Sequence, residues 1–141
     1  MSELDITLKL VLACLCGGLV GYLREKEKKA AGLRTHMLVC SGSTLFMLIS
    51  IYMAGLFPGS DAGRIAANVV VGIGFIGAGT IIQAGGSIIG ITTAASIWVA
   101  SAIGLALGCG FYFGGLLATF LAILILKVLH EIEKKYIRGG D

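Results

Sequence analysis

Gly72-Ile73-Gly74-Phe75-Ile76-Gly77 has the G-x-G-x-x-G spacing of a dinucleotide-binding turn, where glycines let backbone N–H groups approach a pyrophosphate. That chemistry needs a preceding strand, a βαβ unit and a later acidic residue. Here the motif lies inside a long apolar run, and no acid follows before Glu131. A nucleotide site is excluded. Gly72, Gly74, Gly77 and Gly79 are left as helix-packing positions, or as a local break that bares backbone carbonyls to a cavity. Arg64 and Asn68 stand one helical turn apart, with Asp61 as a candidate N-cap just before them. Thr92, Thr93 and Ser96 bring hydroxyls to the start of a later segment, near Gln83. These groups suit interhelical hydrogen bonds, or a polar pocket for a ligand or partner. Arg34, Thr35 and His36 open another segment. Thr35 is placed to cap a helix, Arg34 and His36 to meet anionic lipid headgroups, and His36 could also act as a proton switch. No carboxylate pair, nucleophile–base arrangement or metal-ligand cluster emerges, so no catalytic residue, metal or cofactor is expected.

The elements that position these residues must be membrane helices. Between Lys29 and Lys127 the only charged residues are Arg34, Asp61 and Arg64. Charged residues make up 13% of the chain, about half of what a water-soluble domain carries. Hydrophobic residues are 57% and the mean hydropathy is +0.96. Lipid must be the solvent for most of this surface. At 141 residues a single transmembrane domain, 1–141, is expected. Its first apolar run is too long for a signal peptide and is read as retained.

Five apolar runs predict an all-α polytopic bundle of about five transmembrane helices, at about 6–23, 36–56, 64–83, 91–108 and 111–128. The breaks carry turn chemistry: the charged run 24–34, Pro58-Gly59, Gly85-Gly86 with Gly90, and Gly108-Cys109-Gly110. A short amphipathic tail, 129–141, should lie along the membrane surface or dock another protein. Nine of the eleven basic residues fall in the first loop and the tail, which places the N-terminus outside and the C-terminus in the cytoplasm. Clustered this way they mark topology, and no nucleic-acid partner is expected.

In a bilayer, helices associate through close packing of small residues. Ladders at four-residue spacing run through Ala13, Gly17 and Gly21, through Ser96, Ala100, Gly104 and Gly108, and through Gly114, Ala118 and Ala122, with a shorter one at Gly74 and Ala78. They predict a compact bundle or a homodimer seam. Cys14, Cys16, Cys40 and Cys109 read as small apolar residues rather than metal ligands or disulfides, and Trp98 as a core residue. No Asp or Glu lies within the five runs. Cation pumps and carriers usually need one there, so the residues argue against cation transport.

Four blocks carry a resemblance. Gly32 to His36, Asp61 to Val70, Gly72 to Gly79 and Gly90 to Ala95 resemble, in order and spacing, the signature blocks of the MgtC/SapB family. The resemblance implies a non-enzymatic, multi-pass protein of the bacterial inner membrane. It further implies a role in adaptation to magnesium limitation, acid stress or host survival, by modulating another membrane protein. A homo-oligomer, with a dimer favoured, is expected alongside the lipid bilayer as partner. The likeness is to a short form without the soluble C-terminal domain of longer relatives. Three positions depart from the family pattern: Leu23 where an acid often precedes Arg24, Ala30-Ala31 where Pro-Ala or Gly-Ala is common, and Asn68 where Gln is common. Losing that first-span carboxylate removes a partner for an arginine or a cation, which argues further against ion binding. The competing expectation is a small channel or carrier for an anion or neutral solute; a hydrolase or transferase is more distant.

Overall fold

A computed structural model describes residues 1–129. Five helices run in chain order: α1 (Glu3–Lys26), α2 (Leu33–Leu56), α3 (Arg64–Ala78), α4 (Ile91–Gly108) and α5 (Tyr112–Leu124). The last continues into a π-helical turn, Ile125–Leu129. All-α architecture is what the apolar runs predicted. The tail from His130 onward lies outside the described residues.

Helix α1 has polar punctuation at both ends. The Ser2 hydroxyl accepts from the Asp5 N–H at 3.2 Å, and Glu3 and Asp5 in the first turn face Arg24 and Lys26 in the last, matching the helix dipole. The far end closes as a Schellman turn. Lys28 takes a left-handed φ of 54°, and the N–H groups of Lys28 and Lys29 reach the carbonyls of Glu25 and Arg24. The same turn, with Gly110 at φ 86°, ends α4 and makes the tight hairpin into α5.

Three helices, α1, α2 and α4, are long and apolar enough to cross a membrane. The third predicted run does not stay helical to residue 83. Helix α3 stops at Ala78 after 15 residues, about 22 Å of rise, where the Thr80 hydroxyl and N–H both turn back onto the Gly77 carbonyl. The chain then forms a hairpin of β1 (Ile82–Ala84) and β2 (Ser87–Ile89), with Gln83 opposite Ile88. Gly85 and Gly86, both at positive φ, supply the two-residue turn such a hairpin favours. What hydropathy presents as one span is a short helix followed by two strands.

Helix α4 is central and touches each of the other four. At the end of the bundle where α1 finishes and α2 begins, it meets α1 at Arg24, α2 at His36 and α3 at Gly77. The core holds Ile97, Ile103 and Leu107 of α4, and mostly small residues of α1 pack toward it while that helix's leucines point outward. Along α1, Ala13, Cys16, Gly17, Val20 and Gly21 are buried, while Leu4, Leu8, Val11, Leu15, Leu19 and Tyr22 form an exposed stripe. That inversion is expected where lipid removes the drive to bury leucine and close backbone contact decides packing. Trp98 belongs to the outer surface, at 53% exposure, contrary to the core position expected of it.

Two of the small-residue ladders act as the spacing suggested. A Cβ at Gly17 would lie 2.5 Å from the His36 carbonyl oxygen, and one at Gly21 would lie 2.8 Å from that of Gly32. Gly104 and Gly108 receive α2 in the same way. In α5 Ala122 is buried as its ladder suggested, but Gly115 and Thr119 are buried in place of Gly114 and Ala118, and Gly115 meets Leu107. The ladder at Gly74 and Ala78 is exposed, and α3 packs instead through Ile73 and Gly77, the latter against Ala94.

Candidate functional site

Buried polar side chains of α1, α2 and α4 converge at the basic end of the bundle. Arg24, the last inward position of α1, is 3% exposed. One of its terminal nitrogens donates to the Thr93 hydroxyl at 2.8 Å and the other to the Glu27 carboxylate at 3.2 Å. Its Nε is buried with no partner among the described residues. Glu25, one position on, points to the neighbouring helix, where its carboxylate accepts from the Leu33 N–H at 3.0 Å. That contact satisfies the start of α2, whose N-cap is Gly32 and not Thr35.

His36, expected to meet lipid headgroups, has its side chain fully buried among the helices. Its Nδ1 lies 2.8 Å from the Gly32 carbonyl oxygen and its Nε2 lies 3.0 Å from the Ser96 hydroxyl. A carbonyl only accepts, so Nδ1 carries the proton. Ser96 also sits 2.8 Å from the Thr93 carbonyl oxygen. Its single hydrogen can serve that carbonyl or Nε2, so the hydroxyl adjusts to either state of the ring. The chain of contacts Arg24, Thr93, Ser96, His36, Gly32 thus joins three helices.

Deeper along the same α2–α4 seam the Ser43 hydroxyl donates to that of Ser101 at 3.0 Å. Thr44 shares its hydrogen between the carbonyls of Gly104 at 2.8 Å and Cys40 at 3.0 Å. Each hydroxyl is satisfied, as a low-dielectric interior demands. Thr44→Val is expected to lower stability by about 0.6 to 1.7 kcal/mol, the range for interhelical hydrogen bonds in bilayers, read as a fall in the detergent unfolding midpoint.

The candidates chosen from sequence divide between two places. His36 and Thr93 enter the buried network. Thr35 is half-buried with no side-chain hydrogen bond among the described residues, and Arg34 and Thr92 are exposed. Arg64 and Asn68 lie at the opposite end of α3, joined by a 3.1 Å bond from the Asn68 amide to the Arg64 carbonyl. Asp61 is not the cap of α3: Gly63 is, and the Asp61 carboxylate accepts from the Gly63 N–H at 2.7 Å. Among the described residues, nothing lies within 4 Å of a Cβ at Gly72 or Gly74, and one at Gly79 would face only its own helix carbonyls. Sequence reasoning missed Arg24, Glu25 and Glu27. The available signal was an arginine ending an apolar run with an acid three residues later, one helical turn away.

At the other end, Lys9 is buried one turn into α1 and pairs with Asp5 at 3.1 Å. The four cysteines are free thiols, with Cys16 and Cys40 in the core and Cys109 exposed. Among the described residues no group of three or more His, Cys, Asp or Glu could hold a metal ion.

The chain is similar to known proteins over most of its length. A family model described as the MgtC family matches residues 10–135. YhiD of Escherichia coli (strain K12) is 44% identical over 133 residues, covering 91% of this chain and 62% of YhiD. SrpB of Synechococcus elongatus is 35% identical over 142 residues, covering 93% of this chain and 78% of SrpB. MgtC of Salmonella typhimurium is 38% identical over 128 residues, covering 91% of this chain and 54% of MgtC. The chain therefore spans little more than half the length of YhiD and MgtC. No solved structure matches.

Proposed function

Because this chain belongs to the MgtC family and is a membrane protein, we propose that it acts without catalysis, through helix contacts with another membrane protein. The observation that carries this reading is the outward face of α3. Ala67, Val71, Gly74, Phe75 and Ala78 recur at helical spacing, all exposed, with Phe75 at 78%. Gly74 has open space where a side chain would be, which lets a second helix approach backbone to backbone. Behind that face α1, α2 and α4 form a glycine-locked support. The protein sits as a multi-pass protein in the bacterial inner membrane, N-terminus outside and C-terminus in the cytoplasm, and pairs with a second copy. Its role is in adaptation to magnesium limitation, acid stress or host survival.

The test is photo-crosslinking in native membranes from a probe at Val71. A dimer-mass adduct, or one with another membrane protein, is expected, and Gly74→Leu should reduce it several-fold at unchanged unfolding midpoint. An adduct that survives Gly74→Leu at full yield removes the reading. Gly77→Leu is the internal counterpart, because Gly77 packs on Ala94 and its change should loosen α3 itself.

A second reading, a small channel or carrier, has in its favour the name of YhiD, provisionally a magnesium transporter. Proteoliposome flux that disappears in Arg64→Ala would favour this second reading over the first.

A further inference from the structure

We propose that the seam between α2 and α3 is a binding site for one phosphatidylethanolamine molecule. The seam is a groove of about 470 Å³, walled by Leu38, Phe46, Val69, Ile73 and Ile76, with Gly72 leaving its floor open. Along α3 the groove runs from Ile65 to Ile76, about 16 Å at 1.5 Å per residue. One leaflet contributes about half of the roughly 30 Å hydrocarbon thickness. The groove therefore has the length of a single acyl chain lying in a single leaflet.

At Ile65 this groove meets a second, smaller pocket of about 180 Å³, in which charged and hydroxyl groups join apolar walls from Met53 and Phe57. Arg64 and Asp61 line it, together with Ser50 and Ser60. Arg64 makes no ion pair among the described residues. One Asp61 oxygen is taken by the Gly63 N–H, and the other is free of any hydrogen bond among the described residues. A cation and an anion side by side at the mouth of an apolar slot match a zwitterionic headgroup. The Arg64 guanidinium takes the phosphate as a charge-assisted hydrogen-bond donor. The Asp61 carboxylate takes an ammonium that carries N–H donors, which ethanolamine has and choline lacks. A partner helix would fill the slot but leave this charge pair unmatched. This site is on a different face of α3 from Val71, Gly74 and Phe75, and it stands independently of the partner-binding reading.

The experiment is native mass spectrometry of the detergent-purified protein titrated with phosphatidylethanolamine, phosphatidylcholine and phosphatidylglycerol of one acyl composition. One retained phosphatidylethanolamine is expected, bound more tightly than the other two. Arg64→Gln should weaken it about tenfold, the loss of one charge-assisted contact. Asp61→Asn should erase the preference over phosphatidylcholine. Gly72→Leu, whose side chain enters open space, should block the site at unchanged unfolding midpoint. Equal binding of all three lipids, indifference to Arg64→Gln, or a second copy occupying the groove would each overturn the assignment.

Discussion

Arg24→Ala is expected to lower stability by about 3 kcal/mol, the lower end of the cost of breaking a buried charge pair. The side chain is 3% exposed and joins two parts of the fold, Glu27 at the end of its own helix and Thr93 on α4. Removing it strands the Thr93 hydroxyl inside the bundle. Glu27 is left with water on one side, which holds the loss at the lower figure. Arg24→Lys should fall between the two, because one ammonium cannot present two divergent donors in the plane that serves Glu27 and Thr93. Thr93→Val, alone and combined with Arg24→Ala, completes a double-mutant cycle. Detergent unfolding midpoints measure all four proteins. An Arg24→Ala midpoint equal to that of the parent would mean the pair carries no net stability.

The second large effect is Gly104→Leu. A Cβ there would overlap the Cys40 carbonyl oxygen and sit 2.9 Å from Ser43 Cβ, so α2 and α4 must separate. Separation also breaks the Thr44–Gly104 and Ser43–Ser101 hydrogen bonds. Overpacking costs roughly 1 to 3 kcal/mol and each lost bond about 0.6 kcal/mol, giving about 4 kcal/mol at the upper end. Recovery of folded protein should drop sharply, with Gly104→Ala intermediate. Gly42→Leu is the contrast, since nothing lies within 4 Å of a Cβ at that position. Equal recovery of the Gly104→Leu and Gly42→Leu proteins would show that the α2–α4 approach is looser than these contacts require.

The departure at Leu23 illustrates how a sequence pattern can mislead about electrostatics. The missing acid there removes a partner for an arginine or a cation, yet Arg24 is not left without a counter-charge. Glu27 supplies one instead, a helical turn later, and the Thr93 hydroxyl adds an acceptor 69 residues away. The requirement that a buried guanidinium be satisfied is general. Which residues satisfy it depends on where the first loop folds back.

Membrane character, five helices, the tight turn at Gly110 and the ladders of α1 and α4 were all legible in the amino-acid order. Each follows from local rules: hydropathy over a window, glycine at a positive φ, and small residues every four positions. Burial was not legible. Leu and Ala are equally at home in lipid and in a bundle interior, so hydropathy could not say that Trp98 faces out, that His36 faces in, or that α5 buries Gly115 rather than Gly114. Nor could it separate a short helix plus hairpin from one long span across residues 64–83, because isoleucine serves a strand as readily as a membrane helix. Those outcomes were set by shape: how closely two backbones can approach, and which polar groups then lie near enough to satisfy one another.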